Sequence, residues 1–148
     1  MKPRRKERGS ALVEFSLSVV LLTAVFGGSF EFGYAIYTYN MLVNAVRDGA
    51  RYASMKPYDS STSTPSTAFQ TAVQDMVAYG DPSGNTTTPV VRGLAPSNVQ
   101  LTVTMNGSAP TEIAVSITGF SLDAIFGTIQ LNSRPSSTFP YLGIPTPP

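Results

Sequence analysis

A single carboxylate, Glu14, stands four residues into an apolar run, Ser10 to Phe30, that carries no other charge. Placing a carboxylate in hydrocarbon costs from about 2.5 kcal/mol upward, so such a residue asks for a partner or a task. A second group, Arg47, Asp48 and Arg51, offers ion-pairing chemistry at helical spacing. A third, Asp81-x-Ser83-x-Asn85, has the oxygen spacing of half a calcium loop. Arg92 occupies the position where that loop needs its bidentate Glu, so no metal ligand is assigned. Asn85-Thr86-Thr87 and Asn106-Gly107-Ser108 match glycosylation sequons, which short turns also produce by accident. The chain has no Cys, His or Trp, which removes thiolate nucleophiles, imidazole bases and disulfides together. Scattered carboxylates and hydroxyls remain without a nucleophile–base pair. No catalytic residue is assigned, and neither enzyme activity nor a cofactor is expected.

The elements that would position these residues begin with a helix. Ser10 to Phe30 is 21 residues long, and as a helix it would measure roughly 31 Å, about the thickness of a bilayer's hydrocarbon core. Lys2, Arg4, Arg5, Lys6 and Arg8 precede it, half of the ten cations in the chain. That cluster predicts a cytoplasmic N-terminus, set against only three cations near the far end of the run, Arg47, Arg51 and Lys56. From Ser10 onward five cations face eight carboxylates, a net of −3. Nucleic acid is therefore not an expected partner, because phosphate binding needs clustered cations. A cleaved secretory signal fits poorly, since the run contains Glu14 and only Ala24-Val25-Phe26 as a weak cleavage site.

Helical periodicity continues past the run. Phe32, Ile36, Tyr39, Val43, Val46, Ala50 and Ala53 alternate four and three apart, and Asn40, Asn44, Arg47 and Arg51 form a polar stripe at similar spacing. One helix from about Ser10 to about Ser54 is expected, roughly 65 Å long, spanning a membrane in its first half and amphipathic in its second. Gly27-Gly28 and Gly33 are candidate bends.

The remainder reads as a small α+β head over residues 55–134. Tyr58 to Pro65 is Ser/Thr-rich and reads as a linker. Thr64-Pro65 reads as the N-cap and first position of a second helix, Phe69, Ala72, Val73, Met76 and Val77 as its apolar face, and Gly80 as its C′ residue. Val99 to Met105 and Ile113 to Thr118 alternate as strands, with a hairpin loop over Asn106 to Pro110. A helical turn near Leu122 to Phe126 and a third strand at Ile129 to Asn132 follow. The two amphipathic helices are available to cover the sheet. Residues 135–148, with Pro135, Pro140, Pro145, Pro147 and Pro148, read as an extended or disordered tail.

Gly9-Ser10-Ala11-Leu12-Val13-Glu14-Phe15, directly after the basic leader, resembles the start of type IV pilins, whose leaders end in Gly and whose processed chains carry Glu at the fifth position. With Phe30-Glu31-Phe32-Gly33 and Asn44-Ala45-Val46-Arg47-Asp48-Gly49-Ala50-Arg51-Tyr52-Ala53, the chain more closely resembles the TadE-like pseudopilins of the tight-adherence (Flp) pilus. The resemblance implies cleavage between Gly9 and Ser10 by a membrane aspartyl prepilin peptidase. It implies a role for Glu14 and Phe15 in assembly with other pilin or pseudopilin subunits at the pilus assembly platform of the inner membrane. It also makes Arg47, Asp48 and Arg51 candidates for docking a partner. Cleavage would place a new ammonium on Ser10 one helical turn from Glu14, a cation that an uncleaved anchor does not supply nearby. Two readings stay open. One is a processed minor pilin-like subunit; the other is an uncleaved single-pass membrane protein with an envelope-facing binding domain, its Glu14 snorkelling to the cytoplasmic interface.

Overall fold

The computed structural model describes residues 5–124 and 127–143. Helix α1 (Arg5–Met55) is followed by α2 (Thr67–Tyr79), a 3-10 turn at Pro96–Asn98, and strands β1 (Val99–Asn106), β2 (Ala109–Ile117), β3 (Phe120–Ala124), β4 (Gly127–Leu131) and β5 (Ser136–Pro140). The class is α+β, as the periodicities predict. At 51 residues α1 is about 76 Å long. It starts earlier than Ser10, so the last residues of the basic leader are helical.

Strands β1, β2 and β5 form one antiparallel sheet in the order β1-β2-β5, and β3 and β4 form a separate antiparallel ribbon. Central β2 turns Ile113, Val115 and Ile117 inward. Against them lie Leu42, Val46, Ala50 and Ala53 of α1, and Phe69, Val73 and Val77 of α2, in one continuous core. Burial of each large apolar side chain contributes about 1.5–3 kcal/mol, which is what holds the two helices on the sheet. The β1–β2 turn is tighter than the five-residue loop expected: Asn106 pairs with Ala109, and Gly107 takes φ 65° between them. Pro110 belongs to β2 and sits where the register shifts, a place where a missing N–H is tolerated.

Helix α2 is capped by Ser66, whose Oγ accepts the Phe69 N–H at 3.1 Å. The cap thus lies two residues after the predicted Thr64, and Pro65 precedes the helix. Ser66 is itself fixed by Asp59, which accepts from both its hydroxyl and its N–H. At the other end Gly80 adopts φ 71° and donates its N–H to Met76 O, as expected of a C′ glycine.

Four further expectations are corrected. Leu122 to Ala124 is strand rather than helical turn, because Leu122 pairs with Ile129 across the ribbon; Phe126 lies outside the described residues. The strand around Ile129 exists but joins β3, and the third strand of the main sheet is β5. Ser136–Pro140, read as part of a tail, is indeed extended, but it pairs with Glu112 to Ser116 of β2. The last residues of that tail, including Pro145, Pro147 and Pro148, lie outside the described residues. Tyr58 is no linker residue either. It is fully buried, its ring edge-on to Phe69 with centroids 5.4 Å apart, and its hydroxyl donates to Thr62 O at 2.7 Å.

The chain's far end closes the C-terminus of α1. Ser54 O accepts the N–H of Leu142 at 2.9 Å and of Gly143 at 3.0 Å. The Tyr141 hydroxyl donates to Lys56 O at 3.1 Å and accepts the Tyr58 N–H at 2.8 Å. Carbonyls that a helix end leaves without partners are satisfied by residues 85 or more positions away along the chain.

Candidate assembly site

Among the described residues, nothing else packs over the apolar window in the first half of α1. Its most apolar 18-residue window has mean hydropathy 1.9 and is 0% buried. Leu12, Val13, Phe15, Leu17, Val20, Leu21, Val25 and Phe26 are all exposed, on every side of the helix. A surface of that kind is stable only in a solvent as apolar as itself, so the segment is long and apolar enough to cross a membrane.

Three serines interrupt it, and the structure shows how they fit. Ser16, Ser18 and Ser29 donate their hydroxyls to Leu12 O, Glu14 O and Val25 O at 2.7, 2.9 and 2.9 Å. Each bond runs back one turn, so these three hydroxyls carry their own acceptors into hydrocarbon. The sequence reading passed over these residues; their signal was simply Ser within an apolar helix.

Glu14 is exposed on this helix, and Ser10 is exposed one turn before it. Residues four apart lie on the same face, so an ammonium at Ser10 would stand beside the Glu14 carboxylate. Phe15 is exposed next to it. At Gly9 an added Cβ would meet nothing within 4 Å. The fold therefore does not require glycine there. Glu31, at the outer end of the apolar run, is partly buried.

Arg47, Asp48 and Arg51 are exposed, as are Asn40 and Asn44. The polar stripe predicted from spacing is thus real. Asp48 borders a groove of about 260 Å³ between α1 and α2, lined also by Met41, Asn44, Met76 and Val90. The structure does not bring this cluster to Glu14. Thirty-three residues of helix separate Glu14 from Arg47, roughly 50 Å.

Between the two clusters the predicted apolar face divides. Val46, Ala50 and Ala53 are buried as expected, but Phe32, Ile36 and Tyr39 are exposed and Thr38 and Leu42 are buried instead. Strict alternation of four and three drifts around a straight helix. The main sheet and α2 cover only the later turns.

Gly49 had no assigned role in the sequence, and the structure supplies one. A Cβ at this position would lie 2.2 Å from Val77 Cγ2, so glycine lets α2 cross α1 closely. The signal available was a run of small residues, Ala45, Gly49, Ala50 and Ala53, on one helical face.

Residues 9–51 match the family model described as TadE-like protein. The TadE-like segment opens at Gly9, closes at Arg51, and contains every candidate processing, assembly and docking residue. It bears out the resemblance read from the sequence. It also stops before α2 and the sheets, so the match describes the helix and leaves the head to be read from its own structure. No curated protein and no solved structure is matched by the chain. A TadE-like segment on a long, apolar, uncovered helix fits a membrane-associated subunit related to the tight-adherence pilus.

Proposed function

We propose that this chain is a minor pilin-like subunit, a pseudopilin, for assembly of a tight-adherence (Flp) pilus. A prepilin peptidase cleaves it between Gly9 and Ser10. Its N-terminus is cytoplasmic, its apolar helix spans the inner membrane, and its head is extracytoplasmic. The protein is structural and carries no enzyme activity. The observation that carries this reading is Glu14, a carboxylate on an uncovered apolar helix within the TadE-like segment.

Gly9 adds a second support. An added Cβ would meet nothing in the chain, so a requirement for glycine, if found, comes from something that binds this segment. A narrow peptidase subsite is such a requirement. Mass spectrometry of protein from cells with a working pilus system tests it. The expected N-terminus is Ser10, and Gly9→Phe should retain the leader; an intact leader on the unsubstituted protein refutes processing. Single cysteines at Ser61 and Ser108, both exposed, test orientation, since the chain has no native cysteine. Both should react with a membrane-impermeant thiol reagent once the periplasm is accessible, and protection of both would reverse the topology.

One observation favours the alternative of an uncleaved single-pass protein: α1 runs unbroken through the Gly9–Ser10 bond. A protease needs that turn opened. Glycine makes opening easier by about 1 kcal/mol relative to alanine, and the bond lies within the first two turns of the helix.

A further inference from the structure

The exposed apolar surface does not end where the spanning run ends. Among the described residues, the exposed large hydrophobics lie on α1 up to Tyr39, with Met55, Ile129 and Leu142 beyond it. Ile129 is on β4, and it belongs with the helix. Phe32, Ala35, Ile36 and Tyr39, one face of α1, and Leu122, Ile129 and Leu131 of the ribbon line one open groove of about 330 Å³. Among the described residues, no charged or polar side chain other than the Tyr39 phenol borders it. The ribbon is two-faced: Phe120, Leu122, Ile129 and Leu131 alternate with Ser121, Asp123, Thr128 and Gln130.

We propose that this groove is a membrane-contact surface, with the exposed Phe32, Ile36 and Tyr39 of α1 and Ile129 of the ribbon resting in the outer headgroup region, while Phe120, Leu122 and Leu131 are buried beneath them. The inference rests on the reading of α1 as membrane-spanning.

Position along the helix gives the first argument. If the hydrocarbon begins near Ser10 it ends near Phe30, and if it begins at Glu14 it ends about four residues later. The interfacial layer beyond is roughly 5–8 Å thick. At about 1.5 Å per residue that layer reaches about residue 35 in the first placement and about residue 39 in the second, so the second sets all of residues 32–39, and the first their lower half, at the outer boundary. Aromatic residues give the second argument. Phe30, Phe32, Tyr34, Tyr37 and Tyr39 are all exposed within three turns, Phe32 and Tyr39 on one side and the others opposite. Tyrosines gather at this depth because one end of the ring is apolar and the other polar, and Phe30 and Phe32 extend the apolar side of that belt. A lipid surface is therefore the occupant the position selects, ahead of a second copy of the chain.

The test uses the full chain in phosphatidylcholine vesicles, with an environment-sensitive fluorophore on single cysteines at Leu21, Ile129 or Ser108. Nitroxide lipids carry the quencher either on the headgroup or at mid-chain. The Leu21 probe should be quenched most by mid-chain nitroxide, which reports the span. The Ile129 probe should be quenched severalfold more than the Ser108 probe by headgroup nitroxide. If Leu21 is quenched and Ile129 behaves like Ser108, the span stands and the contact surface is refuted. A blue-shifted but unquenched Ile129 probe means that protein covers the groove, which also overturns the proposal. If Leu21 itself escapes quenching, the spanning reading fails and the contact surface falls with it.

Discussion

Leu22 and Leu42 lie on one helix, yet Leu22 is 53% exposed and Leu42 is fully buried. Around Leu22 its neighbours on the helix surface, Val19, Val25 and Phe26, are exposed too. Around Leu42 a second helix and a sheet have closed. The difference lies in the glycines as much as in the leucines. Gly28 and Gly33 have nothing within 4 Å of an added Cβ, while Gly49 has Val77 at 2.2 Å. The first half of α1 leaves its packing to whatever surrounds the molecule. The second half has its packing built in. One element therefore serves two solvents, and an apolar residue on it cannot be assigned to a core or a membrane until its neighbours are known.

The strongest way to break this contrast is to fill the glycines. Gly49→Val should force α2 off α1, and overpacking of this kind costs about 1–3 kcal/mol, more where backbone cannot shift. Gly49→Ala should cost less, because helix propensity returns about 1 kcal/mol. Gly28→Ala should be neutral or slightly stabilising. Urea unfolding of the full chain in detergent, followed by near-UV circular dichroism of the tyrosines, reads all three. Equal loss from Gly28→Ala and Gly49→Val would show that the two halves are not different in kind.

A second test acts at the head's closure. Tyr141→Phe removes the hydroxyl that accepts the Tyr58 N–H and donates to Lys56 O. Leaving such partners unsatisfied costs about 1–3 kcal/mol. The loss should appear as a lower urea midpoint of the head, with membrane insertion unchanged. A midpoint equal to that of the unsubstituted chain would mean that Leu142 and Gly143, bonded to Ser54 O, suffice to close the helix end.

What the sequence disclosed follows the same division. Helical periodicity, Gly80 and the alternation of β1 and β2 are local signals, and the structure agrees with each. Signals that depend on a distant partner were not legible. Ser136-Ser137-Thr138-Phe139-Pro140 has no apolar alternation, and it becomes a strand because the edge of β2 is there to pair with. Leu122 to Phe126 places apolar residues four apart, as a helical turn does, but pairing with β4 overrides it. Tyr58 was hidden by its Ser/Thr neighbours, since nothing nearby says that Phe69 and Tyr141 converge on it. In the candidate site, Glu14 and the Arg47/Asp48/Arg51 stripe were readable because charge against an apolar helix is a local anomaly. The role of Gly49 was not, because it depends on Val77.

A smaller effect separates the head from the span by pH. Burial raises the phenol of Tyr58 above its ordinary value of 10.0, with the Asp59 carboxylate adding to the shift, and burial likewise raises Tyr141. The folded head therefore keeps protons that the unfolded chain releases. Its stability is complete below about pH 10 and declines as pH rises through the folded-state values. Urea midpoints at about pH 8 and about pH 11 should show the decline, and Tyr141→Phe should make it shallower. An unchanged midpoint across that interval would mean that neither phenol contributes to the linkage.

The smallest expected effect on the head, and the largest on assembly, belongs to Glu14→Gln. Glu14 is exposed on a part of α1 that no other element touches among the described residues, so the head's urea midpoint should not move. Insertion should be unchanged or slightly better, since a charged group leaves hydrocarbon. What the substitution removes is the negative partner for a Ser10 ammonium, its own or that of a neighbouring subunit. In a low-dielectric surrounding such a pair is strong and specific in position, and it can set the register between adjacent helices. Glu14→Gln should therefore be processed and accumulate normally, yet crosslink poorly to other pilus subunits and reduce piliation. Glu14→Asp, which keeps the charge on a shorter arm, should recover part of the loss. If Glu14→Gln fully complements a deletion strain, the carboxylate is an interfacial residue reaching for the cytoplasmic surface. The lower half of α1 would then be an anchor and nothing more.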